Sequence, residues 1–539
     1  MRLIHTTTLQ LHEYHEPSIP PYAILSHTWG EEEISFRGFE SREREHRSGF
    51  QKIIQTCRIA KSQGLDFTWI DTCCIDKSSS AELTEAINSM FQWYRNAEIC
   101  CVHLEDLAPA APINEMSKCR WYTRGWCLQE LLAPSKSRIR FYDANWNCRG
   151  SVLSLVHLVA EGSRIPLRVL TGESPLDEYS VAKRMSWAGK RKTTRIEDAA
   201  YSLLGIFDVN MPLIYGEGKK AFRRLQEEIV KRNNDLTIFA WDTGLENVEF
   251  NNPVSLFAPS PSCFINSFEV RSFMESVHRS FSVTNAGLFI PGEKTINPTR
   301  IVRGDLGHLI VRYTLHLGTN EQDYWCNIHL RKTGPAMFYR DNTLPLTSVA
   351  HTSIGWLGPE KTIDCFIVLD PNPEKLRLLG AAFREGSIYV PHNDIFTLTY
   401  TTPRALWDHT DRVFMRRKLS AKYYPMALMM RFEMNNDPTI SFVVICDYRG
   451  LPPICRVINS ENSIIRGILS RWRRYENNSI DWEDLEEKLP VISSLPNYLD
   501  IVFNDTTYRV EVCLERAILP LSFEVSGYYL DLEMKSLRD

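Results

Sequence analysis

The side chains that can do chemistry concentrate in three short stretches of the sequence. The densest is Cys119-Arg120-Trp121-Tyr122-Thr123-Arg124-Gly125-Trp126-Cys127-Leu128-Gln129-Glu130-Leu131-Leu132, with three aromatics, two arginines and one carboxylate. From Trp121 onward it reads as a helix, because Trp126, Gln129 and Glu130 fall at spacings that share a face. A carboxyl group beside an indole wall loses hydration of its charged form, so Glu130 is placed where its pKa can be tuned. Taken alone, the stretch reads more readily as a core helix with one solvated glutamate.

The second stretch is Tyr22-Ala23-Ile24-Leu25-Ser26-His27-Thr28-Trp29-Gly30, an apolar run that ends abruptly in polar residues and glycine. That is how a buried strand delivers a loop to its carboxyl end. The third, Phe67-Thr68-Trp69-Ile70-Asp71-Thr72-Cys73-Cys74-Ile75-Asp76, reads as a strand that carries Asp71 and Asp76 toward its mouth. Both aspartates can cap loops as readily as contact a ligand. His27 likewise reads as a structural histidine or as a substrate contact.

These stretches need elements to position them. Phe50, Ile53, Ile54, Cys57 and Ala60 recur at helical steps, and Gly64 supplies the stop. Ser78 to Ser80 offer an N-cap, Glu82 lies in the first turn, and Leu83, Ile87, Met90, Phe91 and Tyr94 form one face. Ile99 to Leu104 is a third strand, apolar enough to be buried on both faces. Pro134 closes the Glu130 helix and Ile139 to Tyr142 supply a fourth strand. Strands alternating with helices predict an α/β parallel sheet covered on both faces, with ligands bound at the carboxyl ends of its strands. Ser26, His27, Trp29, Asp71 and Asp76 all fall at those ends.

At 539 residues the chain is too long for one core and implies about three folding units. We divide it into an α/β domain (1–150), a helical extension (151–245) and a β-rich, sandwich-like region (246–539). In the extension, helices are read at Val152 to Val159, Ile196 to Leu204 and Gly218 to Lys231. The β region rests on runs such as Leu309 to Leu315, Thr362 to Val368 and Ile440 to Ile445, interrupted by a helix at Ile464 to Tyr475. A net charge of −4 gives no reason to expect nucleic acid or an anionic membrane as partner. The basic run Lys183, Arg184, Lys190, Arg191, Lys192 and Arg195 reads as a paired or solvated face, or as a phosphate contact. Met1 to Thr6 turn polar at once, and no apolar run approaches the roughly 18–20 residues that span a bilayer, so a cytoplasmic protein is expected. The fourteen cysteines form no metal-binding spacing and read as reduced and buried, with no disulfide framework and no metal site.

The blocks Ala23 to Gly30, Trp69 to Asp76 and Arg120 to Leu131, in that order, resemble the fungal heterokaryon-incompatibility (HET) domain over roughly residues 20–145. Arg195 to Phe207 and Pro212 to Gly218 are similar to the extension that often follows that domain. The resemblance implies a trigger of programmed cell death when genetically unlike fungal cells fuse. HET domains in turn resemble Toll/interleukin-1 receptor (TIR) domains, which implies a flavodoxin-like sheet and, by the Trp-x-x-x-Glu spacing of Trp126 and Glu130, cleavage of NAD at the nicotinamide–ribose bond. On that analogy Glu130 is the catalytic carboxylate and NAD is a substrate, with no cofactor required. Trp29 and Trp126 would stack on a flat ring, Ser26 and His27 would bind oxygens, and Arg120 or Arg124 would meet phosphate. Self-association on activation and an allelic or receptor partner are the associations implied. The rival is a non-enzymatic module that kills by self-association or recruitment. A Rossmann oxidoreductase is excluded by the missing Gly-x-Gly-x-x-Gly loop.

Overall fold

A computed structural model describes residues 1–39, 47–242, 254–272, 280–291, 296–302, 309–322, 324–334, 336–341, 347–349, 365–372, 374, 387–402, 404–409, 411–415, 427–450, 452–463, 465–466, 491–492, 494–520 and 524–537. The N-terminal unit runs β1 (Arg2–His5), β2 (Leu11–Glu13), β3 (Tyr22–His27), α1 (Phe36–Phe39), α2 (Ser48–Ser62), β4 (Phe67–Trp69), α3 (Asp71–Cys74) and α4 (Ser80–Asn96). It continues with β5 (Ile99–His103), α5 (Cys127–Leu132), β6 (Ile139–Tyr142) and β7 (Cys148–Ser151). These strands form one sheet in the order β2-β1-β4-β3-β5-β6-β7. β3 pairs in parallel with β4 and β5, and β5 in parallel with β6. Every residue of β3 and β5 is buried, as a strand covered on both faces requires. The path turns outward from β3 to β4 and then back across to β5 and β6, which opens a crevice at the carboxyl ends of β3 and β5.

The helices are fixed to the sheet by their apolar faces. α4 buries Ala86, Ile87, Met90, Phe91, Trp93 and Tyr94, and Ser79 caps it by accepting from Glu82 N at 3.3 Å. Two hydroxyls lock this packing across the layers. Tyr94 donates to Leu25 O at 2.8 Å, and Tyr22 donates to Trp93 O at 2.6 Å.

Several local readings change. The strand expected through Asp76 stops at Trp69, and Asp71 to Cys74 form a buried helical turn, with Cys74 N donating to Ile70 O at 2.9 Å. A short apolar run has no period that separates strand from buried helix, so Cys73 and Cys74 were misplaced on a strand. The helix expected from Trp121 begins only at Cys127; Arg120–Thr123 are a 3-10 turn and Arg124 is extended at φ −83°, ψ 131°. The reason is tertiary: Gly125 N donates to Lys192 O at 2.8 Å, and Lys192 N to Thr123 O at 2.7 Å. Those bonds occupy backbone groups that a helix would use internally. The antiparallel hairpin β1–β2 was not anticipated at all.

The extension is helical: α6 (Val156–Ser163), α7 (Leu167–Thr171), α8 (Val181–Ser186), α9 (Asp198–Tyr201) and α10 (Lys220–Arg232). α10 buries Phe222, Leu225 and Ile229, the face its spacing predicts. Beyond it the described chain is β-rich and mostly antiparallel, in three sheets. The run at Leu309 to Leu315 lies in the strand Leu309–Thr319, and that at Ile440 to Ile445 lies in Asp437–Asp447. Of the run at Thr362 to Val368, Cys365–Ile367 form a strand and 362–364 lie outside the described residues, as does nearly all of the expected helix at Ile464 to Tyr475.

Cys446 and Cys455 face each other in register on adjacent antiparallel strands and form a disulfide, contrary to the reduced state expected of every cysteine. Register across a hairpin brings together two residues whose spacing carries no sign of pairing. Among the described residues, buried apolar side chains gather in two clusters, one running from Leu3 to Ile367 and the other from Ile388 to Leu532. No helix among the described residues is long and apolar enough to cross a membrane.

Candidate functional site

β3 delivers Ser26 to its carboxyl end, and the first turn of α5 brings Glu130 against it. Ser26 Oγ donates to Glu130 Oε2 at 2.5 Å and accepts from Trp121 Nε1 at 2.7 Å. The Trp121 ring is fully buried and fixed edge-to-face by Tyr122 and Phe141. Glu130 is only 5% exposed. Burial pushes its carboxyl up from 4.5 to about 7; Arg124 and the hydrogen bonds from Ser26 and Cys127 oppose the rise, while Asp71 adds to it. A group poised there can act as either acid or base near neutrality.

Next to Ser26, His27 is 3% exposed between two carboxylates, with Nδ1 3.9 Å from Asp71 Oδ1 and Nε2 3.6 Å from Glu33 Oε2. Both separations are ion-pair rather than hydrogen-bond distances. Glu33 accepts from Lys52 Nζ at 2.5 Å and from Gly30 N at 2.9 Å, and Lys52 also donates to Thr28 O at 3.1 Å. Burial pushes the Glu33 carboxyl up, but His27, Lys52 and Gly30 N–H bring it down to about 2.

Trp29, at 42% exposure, is the open aromatic surface of the site. Its Nε1 donates to Asp71 Oδ2 at 2.9 Å. Lys77 Nζ stands 3.6 Å from the ring centroid and Arg124 Cζ 5.0 Å from it, so two cations face one indole. Arg120 lies at the rim, donating to Thr28 Oγ1 at 3.2 Å and to Glu105 Oε2 at 3.4 Å.

The crevice thus brings together Ser26, His27, Trp29, Asp71, Arg124 and Glu130, with Arg120 beside them. Trp126 acts on the carboxyl of Asp198 in α9, which it helps hold down against the rise that burial causes; the indole wall near Glu130 is Trp121. Asp76 caps a loop, accepting from Ser78 N at 2.9 Å and Ser78 Oγ at 2.6 Å. An open cleft of about 510 Å³ along α4, lined by residues including Thr84, Asn88, Gln92 and Asn210, shares none of these side chains.

Sequence reasoning missed Glu33, Lys52, Lys77 and His103. His103 ends β5 directly opposite His27, is 4% exposed, and stacks on Trp146 at 4.1 Å. Burial, with Lys52 nearby, lowers its pKa to about 4. The signal was present: a histidine closes both apolar runs. For Glu33 and Lys52 no local signal exists, because their pairing joins a loop to α2. Much of the basic run is used inside the protein. Lys183 pairs with Glu321, Arg184 donates to Ile206 O, and Arg195 covers the Tyr215 ring. No group of three or more His, Cys, Asp or Glu among the described residues is arranged to hold a metal ion.

Residues 22–114 match the Heterokaryon incompatibility protein (HET) family. The chain carries a HET domain. That match contains Ser26, His27, Trp29, Asp71 and Asp76 and ends before Arg120, Arg124, Trp126 and Glu130. Residues 220–301 match a second family, described as a domain of unknown function (DUF8212). Over 224 residues the chain is 50% identical to the Vegetative incompatibility protein HET-E-1 of Podospora anserina. The alignment covers 40% of this chain and 16% of that protein, so the chain spans a small part of the relative's length.

Proposed function

We propose that this chain is a cell-death effector of fungal vegetative incompatibility whose HET domain, on a TIR-like plan, cleaves NAD at the nicotinamide–ribose bond. The name of the half-identical relative supports the biological role. The observation that carries the chemistry is the buried Ser26–Glu130 pair at the crevice of a parallel sheet, beside an indole faced by two cations. Nicotinamide leaves with the bonding electron pair and becomes neutral, so no general acid is needed. Water adds at the ribose carbon and loses a proton, giving ADP-ribose, nicotinamide and H⁺. Ionised Glu130 stabilises the oxocarbenium-like charge on the ribose. Ser26, held by Trp121, orients that carboxylate; Trp29 offers the stacking surface, and Arg124 meets phosphate. Glu130 is buried, so substrate entry requires the crevice to open, and self-association in the cytoplasm on activation is the step that supplies this.

The enclosure of Glu130 also favours a second reading, in which the carboxyl is a structural hub and the domain kills by recruiting an allelic or receptor partner. The deciding experiment incubates the full chain, free and artificially oligomerised, with NAD and follows nicotinamide release beside Glu130→Ala and Glu130→Gln. The first reading expects turnover that falls by about 100-fold or more in both variants. Undiminished turnover removes Glu130 from the mechanism. Killing by a folded Glu130→Ala protein favours the partner-recruiting module.

A further inference from the structure

The loop that carries Trp121 and Arg124 is held from outside its own domain. Between α8 and α9 the chain runs alongside it, forming a parallel bridge between Arg124 and Lys192. Arg191 Nη1 donates to Arg124 O at 2.9 Å and reaches Trp121 O at 3.5 Å, while Nε donates to Trp187 O at 3.3 Å. Its Nη2 is closed off from solvent and has no hydrogen-bond partner among the described residues. The fit is tight: a Cβ on Gly125 would come within 2.5 Å of Thr193 Cγ2.

We infer that the helical extension supplies a positioning residue to the Glu130 site: Arg191 fixes the loop between Trp121 and Gly125 and so sets the distance of the Arg124 guanidinium from the Glu130 carboxyl. Arg124 is extended between two tethered carbonyls, its guanidinium lies over Trp29, and its charge acts on Glu130. Besides the Ser26 hydroxyl, the titratable and charged groups that face Glu130 are Arg124 from the loop, Cys127 from α5, Asp71 from α3, Tyr94 from α4, Cys100 from β5 and Arg191 itself. Of these, Arg124 and Arg191 are the permanent cations. The working unit is therefore the sheet together with the chain as far as Thr193. Only the catalytic consequence rests on the NAD-cleaving reading; the positioning role does not.

The test titrates Glu130 in the full chain by infrared difference spectra of the carboxyl stretch, each protein minus its own Glu130→Gln form. Arg191→Met removes both the tether and a charge; Arg191→Lys keeps the charge but lacks the planar guanidinium that holds Trp187 O and Arg124 O from separate nitrogens. Positioning predicts a midpoint raised by about one pH unit or more in both variants. It also predicts lost amide-exchange protection at Gly125 and Lys192 with β3 unaffected. A merely structural arginine lowers stability and leaves the midpoint in place, which overturns the inference. A midpoint that moves in Arg191→Met but not in Arg191→Lys also overturns it, by assigning the effect to charge alone. The lysine variant, which fills the same space, keeps the test open if the methionine variant does not fold. A moved midpoint in a protein that never releases nicotinamide retains Arg191 and removes the glycohydrolase reading. Turnover with an unmoved midpoint does the reverse.

Discussion

Replacing Glu130 by glutamine tests whether this carboxyl is held out of water at a cost. Its pKa rises from 4.5 to about 7 on folding, chiefly through burial. At pH 4 both folded and unfolded chains keep the proton, and the group adds no pH dependence. Between 4.5 and 7 the folded protein binds a proton that the unfolded chain has released, so wild-type stability falls as pH rises through that window. At about 1.4 kcal/mol per pH unit, the loss reaches roughly 3 kcal/mol by pH 8. Glutamine can still accept from Ser26 Oγ and carries no charge at any pH. Wild type and Glu130→Gln should therefore have similar stability at pH 4 and diverge by about 3 kcal/mol in favour of the variant at pH 8. Because the chain has several units, the assay follows the melting transition that carries protection of the β3 and β5 amides. For a unit of roughly 150–250 residues the divergence corresponds to about 6–12 °C. Parallel pH profiles for the two proteins would refute the reasoning, since they would mean that Glu130 is already ionised or hydrated in the folded state.

Three further perturbations follow from the same geometry. Ser26→Ala strips Trp121 Nε1 of its acceptor and Glu130 of a donor; denaturant titration should read a loss of about 1–3 kcal/mol, and the Glu130 midpoint should move up. His103 falls from 6.5 to about 4 on folding, so it contributes stability above 6.5 that is lost as pH falls toward 4. His103→Gln should flatten that acid limb, and an unchanged limb would place the loss elsewhere. Gly125→Ala should collide with Thr193 and lower the melting temperature of the N-terminal unit, and Thr193→Ser in the same chain should recover part of it. Additive losses in the double variant would mean that the two sites do not touch.

The sequence by itself determined the parallel centre of the sheet and the gathering of its polar strand ends. Apolar runs at Tyr22 to Leu25, Ile99 to Val102 and Ile139 to Tyr142 are long enough, and the helices between them periodic enough, that a parallel sheet is their only economical burial. Ser26 and His27 had to fall at its carboxyl edge, because the run ends there. Tertiary structure decided the rest, since the deciding contacts join residues far apart in the chain. Trp126 shares a helical spacing with Glu130, yet it is Trp121 that meets Glu130, through the hydroxyl of Ser26. Asp71 and Asp76 look alike in sequence, yet one turns to Trp29 and His27 while the other caps Ser78. The stretch that should have been helix is a 3-10 turn followed by an extended Arg124, because Lys192 and Arg191, some seventy residues on, claim its backbone. Local pattern sets which face of an element is buried; only the packed chain sets which polar group meets which, because a hydrogen bond is satisfied by proximity in space and not by spacing along the sequence.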